Sequence, residues 1–142
     1  MLVSVTSGLT VCAAVLAAAS VYGMLHRRRS GRVRVRGRDD GRRLSAAELG
    51  GELGGRATLV QFSSAFCAPC RATRRVLGEV AAMVPGVAHV EIDAEDRLDL
   101  VRELGILKTP TVLVLDAGGL VVRRATGQPR KADVIAALGE AV

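Results

Sequence analysis

Two cysteines three residues apart, Cys67 and Cys70, stand between a short apolar run and a segment with helical periodicity. The run Ala57–Ser63 predicts a buried strand, and the spacing of apolar residues predicts a helix over residues 69–84. Residues i and i+3 of a first helical turn share one face, and the helix N-terminus stabilises a thiolate. The pattern therefore predicts Cys67 as a nucleophile, Cys70 as the residue that resolves a mixed disulfide, and Pro69 as a stiffener of the turn.

The same cysteine pair is also compatible with half of a zinc site. Structural zinc takes four ligands, commonly from two such pairs. The rest of the sequence supplies one more cysteine, Cys12, in an apolar segment, and two histidines, His26 and His89. We therefore expect no metal and favour a redox-active Cys67–Cys70 disulfide, which needs no other cofactor.

The segment from residue 44 to the C-terminus has the pattern of a compact α/β domain. A capping box from Ser45 to Glu48 predicts a short first helix. Strands separated by helices predict parallel pairing through right-handed crossovers, and the last two strands predict an antiparallel hairpin at the edge. The further strands are predicted over residues 87–93, 111–115 and 120–126, and the further helices over residues 96–104 and 129–138.

A second motif, Thr109-Pro110, stands directly before the strand predicted from Thr111, where proline removes no needed ladder bond. Residues 44–142 resemble the thioredoxin superfamily. The resemblance rests on this motif and on residues 60–70, residues 105–111, the turn at 117–119 and Gly127. The resemblance implies a thioredoxin fold, which is a central mixed sheet flanked by helices, with Pro110 in the cis form and packed against the disulfide. It also implies that the backbone of Thr109 binds an extended substrate segment.

The chain departs from the family pattern near the cysteines. Phe66 stands where the family usually has Trp, so an apolar platform persists without an indole donor, and Ala68 replaces the usual Gly. Gln61 occupies the position of the family's buried acid, and His89 that of the Lys that accompanies it. Because an amide cannot take up the proton of the resolving cysteine, we expect slow resolution at Cys70. A hydrogen-bonded buried amide and an ordinary strand histidine are the alternative interpretation of these two positions.

Residues 1–25 contain no charged side chain and are dominated by Val, Leu and Ala. About 20 apolar residues span a bilayer as a helix, so the segment predicts one transmembrane anchor with Tyr22 and His26 near the interface. A cleaved secretory signal carries its positive charge before the apolar core, whereas here the arginines follow it. Because Arg-rich flanks stay cytoplasmic, we expect a single-pass cell-membrane protein with a cytoplasmic domain. An extracytoplasmic domain is the alternative.

Residues 26–43 contain nine arginines against Asp39 and Asp40, whereas the remaining chain is nearly neutral. Charge and glycine content predict a mobile juxtamembrane tether between the anchor and the domain. Each basic side chain near an anionic lipid surface contributes about 1 kcal/mol, so headgroup contact is one interpretation and a simple stop-transfer flank is the other. Because the arginines are not spread over a folded face among aromatics, we expect no nucleic-acid partner.

Together these features predict a membrane-tethered thiol–disulfide oxidoreductase with Cys67 and Cys70 as its redox pair. In a reducing cytoplasm it would reduce protein disulfides or relay electrons, and a thioredoxin reductase or a membrane electron donor would recycle it. A non-catalytic peptide-binding module is one alternative, against which the intact cysteine pair argues. An extracytoplasmic oxidase or isomerase is another, and it requires inverted topology.

Overall fold

The computed structural model of the chain describes residues 2–29, 33–35 and 41–142. The chain divides into two compact units, Met1–Ser30 and Gly31–Val142. The first unit is a single helix, α1 (Leu2–Arg29), which continues past the predicted end of the anchor at residue 25. Its segment Thr6–His26 has a mean hydropathy of 1.9 and is long and apolar enough to cross a membrane. A signal sequence passes the same test of length and composition.

The second unit is a mixed five-stranded sheet flanked by helices, as the sequence predicts. Its elements are β1 (Val33–Val35), α2 (Ala46–Leu49), β2 (Ala57–Ser63), α3 (Ala68–Met83), β3 (Val87–Asp93), α4 (Leu98–Glu103), β4 (Thr111–Asp116), β5 (Val121–Thr126) and α5 (Lys131–Ala141). The strand order is β1-β5-β4-β2-β3. The central strand β2 runs parallel to β3 and antiparallel to β4, and β5 runs antiparallel to both β4 and β1.

The predicted capping box at the start of α2 is confirmed. The Ser45 hydroxyl accepts a hydrogen bond from the Glu48 N–H, and the Glu48 carboxylate accepts one from the Ser45 N–H at 2.8 Å. Helix α5 begins later than predicted, at Lys131 rather than at Pro129, because Arg130 is still extended with φ −79° and ψ 147°.

The prediction of parallel pairing is confirmed for β3 and wrong for β4. Strand β3 ends beside the end of β2, and β4 starts at that same end, where Thr111 faces Phe62. Helix α4 has six residues and rises about 9 Å, whereas the seven residues of β3 extend about 23 Å. The connection therefore does not return the chain to the far end of the sheet, and β4 must run antiparallel to β2.

Part of the predicted tether belongs to the sheet. Val33–Val35 pairs antiparallel with β5, with Val33 opposite Ala125 and Val35 opposite Arg123. Further along the chain, Arg43 forms a bridge with Leu120. A Val-Arg-Val sequence suits an edge strand, and its pairing satisfies backbone groups that β5 would otherwise leave open. The description of residues 26–43 as wholly without packed structure therefore does not hold, while the domain boundaries stay a prediction.

Strand β2 fixes the position of the cysteine pair. All seven of its residues are buried, and its side chains alternate between two apolar clusters. Val60 and Phe62 pack with residues of α2 and α4 on one face. Leu59 packs with Leu77 of α3 and Leu138 of α5 on the other face. Because both faces are covered, the strand is held firmly at Ser63, from which the chain leads directly to Cys67.

Candidate functional site

Cys67 and Cys70 are joined in a disulfide at the start of α3. Their sulfurs are 2.12 Å apart and their Cα atoms 5.2 Å apart. Cys67 is the N-cap of the helix, where its sulfur accepts a hydrogen bond from the Cys70 N–H at 3.2 Å, and Pro69 lies in the first turn. Cys67 is half-buried, whereas Cys70 is only 1% exposed. An external thiol or disulfide therefore reaches Cys67 first, and a helix N-terminal donor stabilises charge on its sulfur.

The peptide bond between Thr109 and Pro110 is cis, as predicted. The Thr109 hydroxyl lies 2.9 Å from the hydroxyl of Ser64, which follows β2. The Pro110 carbonyl accepts a hydrogen bond from the N–H of Gly127 at 2.7 Å. The structure thus brings the segment that precedes Cys67 together with the segment that precedes β4. Contact between Pro110 and the disulfide, and binding of substrate by Thr109, stay predictions.

Two large apolar side chains of this unit are fully or almost fully exposed. Phe66, next to Cys67 in the chain, is 102% exposed relative to an isolated residue, and Leu107 is 96% exposed. The sequence predicted an apolar platform at Phe66 but did not identify Leu107. The solvent position of Leu107 follows from the loop between α4 and β4, which periodicity does not describe.

Gln61 lies buried beside Cys70. Its Nε2 donates hydrogen bonds to the Cys70 carbonyl oxygen at 2.8 Å and to the Ser63 hydroxyl at 2.9 Å. Its Oε1 lies 3.3 Å from Nε2 of His89. Gln61 and His89, two of the positions that depart from the family pattern, are therefore in direct contact. Burial lowers the pKa of His89 below 6.5, although the nearby Glu91 carboxylate acts in the opposite direction.

A carboxylate that the sequence analysis missed completes this group. Arg74 donates two hydrogen bonds to Glu91, from Nε at 2.5 Å and from Nη2 at 2.7 Å. The Ser63 hydroxyl donates a third to Glu91 at 2.7 Å. The bonds from Arg74, and after them that from Ser63, lower the pKa of Glu91 despite its partial burial. Arg74 is exposed like its helix neighbours Arg71 and Arg75, but its guanidinium is held in an ion pair with Glu91.

The Glu91 carboxylate makes stability depend on pH. Because folding lowers the pKa of Glu91, its contribution is fully present above the unfolded value, near 4.5, and is lost as pH falls through the folded value. We expect Glu91→Gln to unfold at a lower urea concentration than wild type at pH 7. This gap between the two unfolding midpoints should disappear at acidic pH. Glu79→Gln, which breaks the exposed pair with Lys131, is the control and should show a smaller gap. Equal gaps at every pH would contradict this account.

Within residues 2–29, 33–35 and 41–142, no group of three or more Cys, His, Asp or Glu side chains is placed to hold a metal ion. The absence of a metal and of a separate cofactor stays an expectation from the sequence.

Comparison with known proteins agrees with the fold and the cysteine motif. A sequence model of the thioredoxin family matches residues 52–140. The chain is 29% identical over 69 residues to thioredoxin H-type from Fagopyrum esculentum, which covers 49% of this chain and 60% of that protein. It is 29% identical over 73 residues to thioredoxin-2 from Pyricularia oryzae, which covers 51% of this chain and 43% of that protein. The chain thus spans about half the length of these curated relatives.

Solved structures give the same answer for the fold. A mutant thioredoxin from Halobacterium salinarum superposes with a TM-score of 0.56 at 20% identity, over 61% of this chain and 75% of that one. Thioredoxin NaTrxh from Nicotiana alata superposes with a TM-score of 0.54 at 26% identity, over 61% of this chain and 74% of that one. Since the family model matches more than half of the residues of this chain, the chain belongs to the thioredoxin family.

Proposed function

We propose that this protein is a thiol–disulfide oxidoreductase that reduces protein disulfides or relays electrons through Cys67 and Cys70. The observation that carries the proposal is the asymmetric disulfide at the start of α3, with an accessible Cys67 and a buried Cys70. A partly exposed cysteine whose sulfur accepts a helix N–H suits nucleophilic attack, and a buried partner suits intramolecular resolution. Membership of the thioredoxin family supports the same chemistry.

The reaction proceeds in two exchanges. The Cys67 thiolate attacks one sulfur of a substrate disulfide, and the other substrate sulfur leaves as a thiolate that takes up a proton. The Cys70 thiol then loses its proton, and its sulfur attacks Cys67 and displaces the second substrate thiolate. Two electrons and two protons pass from the dithiol to the substrate, and the Cys67–Cys70 disulfide is left behind. A thioredoxin reductase or a membrane electron donor is the proposed source of the electrons that reopen it.

The proposed substrate contact involves the exposed Phe66 ring beside Cys67. An exposed aromatic ring offers apolar area that a substrate segment covers on binding. The backbone of Thr109, adjacent to Ser64, is proposed to bind that segment as an added strand.

We propose a membrane location for this activity. Support comes from Thr6–His26, which is long and apolar enough to span a bilayer, and from the arginines that follow it in the sequence. Arg-rich flanks favour a cytoplasmic domain. A reporter fused to the C-terminus that is active only outside the cytoplasm should give no signal. A strong signal would overturn the cytoplasmic orientation and favour the oxidase or isomerase alternative.

Insulin reduction by dithiothreitol tests the activity. The full chain in detergent should accelerate insulin precipitation, whereas a non-catalytic binding module would leave the rate unchanged. A reduction potential near the thioredoxin value of about −270 mV supports a reductase, and one near about −120 mV supports an oxidase. No acceleration together with a disulfide that never opens under reductant would reject the proposed function.

A further inference from the structure

The sheet face beneath α3 changes character toward the cysteines. Ala57 and Leu59 of β2 pack against α3 in an apolar cluster. Alternation along the strand places Gln61 and Ser63 on that same face, and their bonds to Cys70 and to each other agree with this placement. Glu91 of β3 lies in register with Gln61. The apolar layer is thus replaced by a polar cluster of Gln61, Ser63 and Glu91 at the end of the sheet where Cys70 is buried.

The negative charge of Glu91 determines the direction of the hydrogen bonds in this polar cluster. The Glu91 carboxylate, held ionised by Arg74, only accepts hydrogen bonds. The Ser63 hydroxyl must therefore give its single hydrogen to Glu91, and it is left to accept from Gln61. Gln61 must then direct its nitrogen toward Ser63 and the Cys70 carbonyl.

The other side of the amide agrees with this orientation. With nitrogen on the Cys70 side, the Gln61 oxygen faces His89 and accepts a hydrogen bond from its Nε2. His89 therefore carries a hydrogen on Nε2 in this arrangement. If the amide were turned over, its oxygen would stand 2.8 Å from the Cys70 carbonyl oxygen, where two acceptors repel each other.

We propose that Ser63 and Glu91 are positioning residues for Cys70, which act by holding the Gln61 amide in the orientation that donates to the Cys70 carbonyl. The proposal rests on the proposed function, because its effect is on the second thiol exchange. In that step the Cys70 sulfur forms a bond to Cys67 as the bond from Cys67 to substrate breaks. A backbone fixed at Cys70 keeps the attacking sulfur in line, whereas a loosened one reduces the fraction of time in a reactive geometry.

The change Glu91→Gln removes the carboxylate and introduces an amide that donates to Ser63. Ser63 is then free to donate to Gln61 and no longer opposes the turned-over amide, so that only the Cys70 carbonyl still disfavours it. The change Ser63→Ala removes the hydroxyl that connects Gln61 to Glu91. Each substitution should slow resolution by Cys70 about tenfold, the size expected for one or two oriented hydrogen bonds. The attack by Cys67 should keep its rate.

Reaction of the reduced full chain with an aromatic disulfide that releases a coloured thiolate separates the two steps. The first release reports attack by Cys67, and the second reports resolution by Cys70. A Cys12→Ser background removes the other free thiol, which is exposed. Glu79→Gln, a carboxylate of α3 paired with Lys131 at 3.0 Å, is the matched control and should change neither release.

The double variant Ser63→Ala with Glu91→Gln should be no slower in the second release than the slower single variant, because both act through one connection. Additive effects, an unchanged second release, or equal slowing of both releases would each overturn the positioning role. If the parent chain gives a first release and no second, the proposed dithiol function fails instead, so the two failures are distinguishable.

Discussion

Replacing Cys67 with serine is expected to reduce insulin reduction to the rate of dithiothreitol alone. A serine hydroxyl at the helix N-terminus is not a thiolate and forms no mixed disulfide. The buried Cys70 cannot substitute for it, because only 1% of its surface is exposed. The loss should be complete, and it is measured as the rate of insulin precipitation.

Cys70→Ser should fail differently, since Cys67 still attacks but the mixed disulfide cannot resolve. Its covalent adduct with a substrate should accumulate and be visible as a mass shift that dithiothreitol reverses. Cys12→Ser is the control for loss of a thiol, and its insulin activity should equal that of wild type. Activity in Cys67→Ser, or an adduct on Cys12 in place of Cys67, would refute the assignment of the nucleophile.

The elements that the sequence predicts well are those with strong local patterns. Strand β2 is a continuous apolar run bounded by the cysteine motif, and α3 has apolar residues at helical spacing that end at Pro85. The cysteine positions follow from these two elements and from helix geometry. The disulfide between Cys67 and Cys70 could therefore be predicted from the sequence, because it depends on residues close together in the chain.

What could not be predicted depends on contacts distant in sequence. Ser63 and Glu91 are 28 positions apart, and only the register of β2 with β3 brings them together. Alternation along β2 puts Ser63 on the face of Gln61, but it does not indicate that Glu91 lies opposite or that Arg74 reaches across from α3. The pairing of Val33–Val35 with β5 could not be predicted either. A short basic segment has the pattern of a linker, and its pairing depends on the open edge of β5, which lies far away in the sequence.

The departure at Gln61 leads to an expected gain of function. Gln61→Asp places a carboxyl beneath Cys70, where it can take up the proton that the resolving thiol loses. The substitution also removes the amide bond to the Cys70 carbonyl, which lowers the rate about tenfold. General-base catalysis contributes about 10²- to 10⁴-fold and outweighs that loss. The second thiolate release should therefore be at least about tenfold faster than in the parent chain.

The acceleration should come with lower stability at neutral pH. Burial raises the pKa of a carboxyl, so the folded variant binds a proton that the unfolded chain has already released. The contribution of the new carboxyl to stability is highest below its unfolded value of about 3.9 and falls by about 1.4 kcal/mol per pH unit until the folded value is passed. Urea unfolding across pH measures this slope, and the slope confirms that the new carboxyl is buried.

Gln61→Asn is the matched control for this prediction, because it shortens the side chain equally without adding an acid. It should lose the bond to Cys70 and slow the second release, so the ratio between the two variants isolates the contribution of proton transfer. That ratio should also increase with pH as the carboxyl ionises. If Gln61→Asp resolves no faster than the parent chain although its stability shows a buried carboxyl, then proton transfer from Cys70 does not limit resolution. The expectation that Gln61 makes resolution at Cys70 slow would then be wrong.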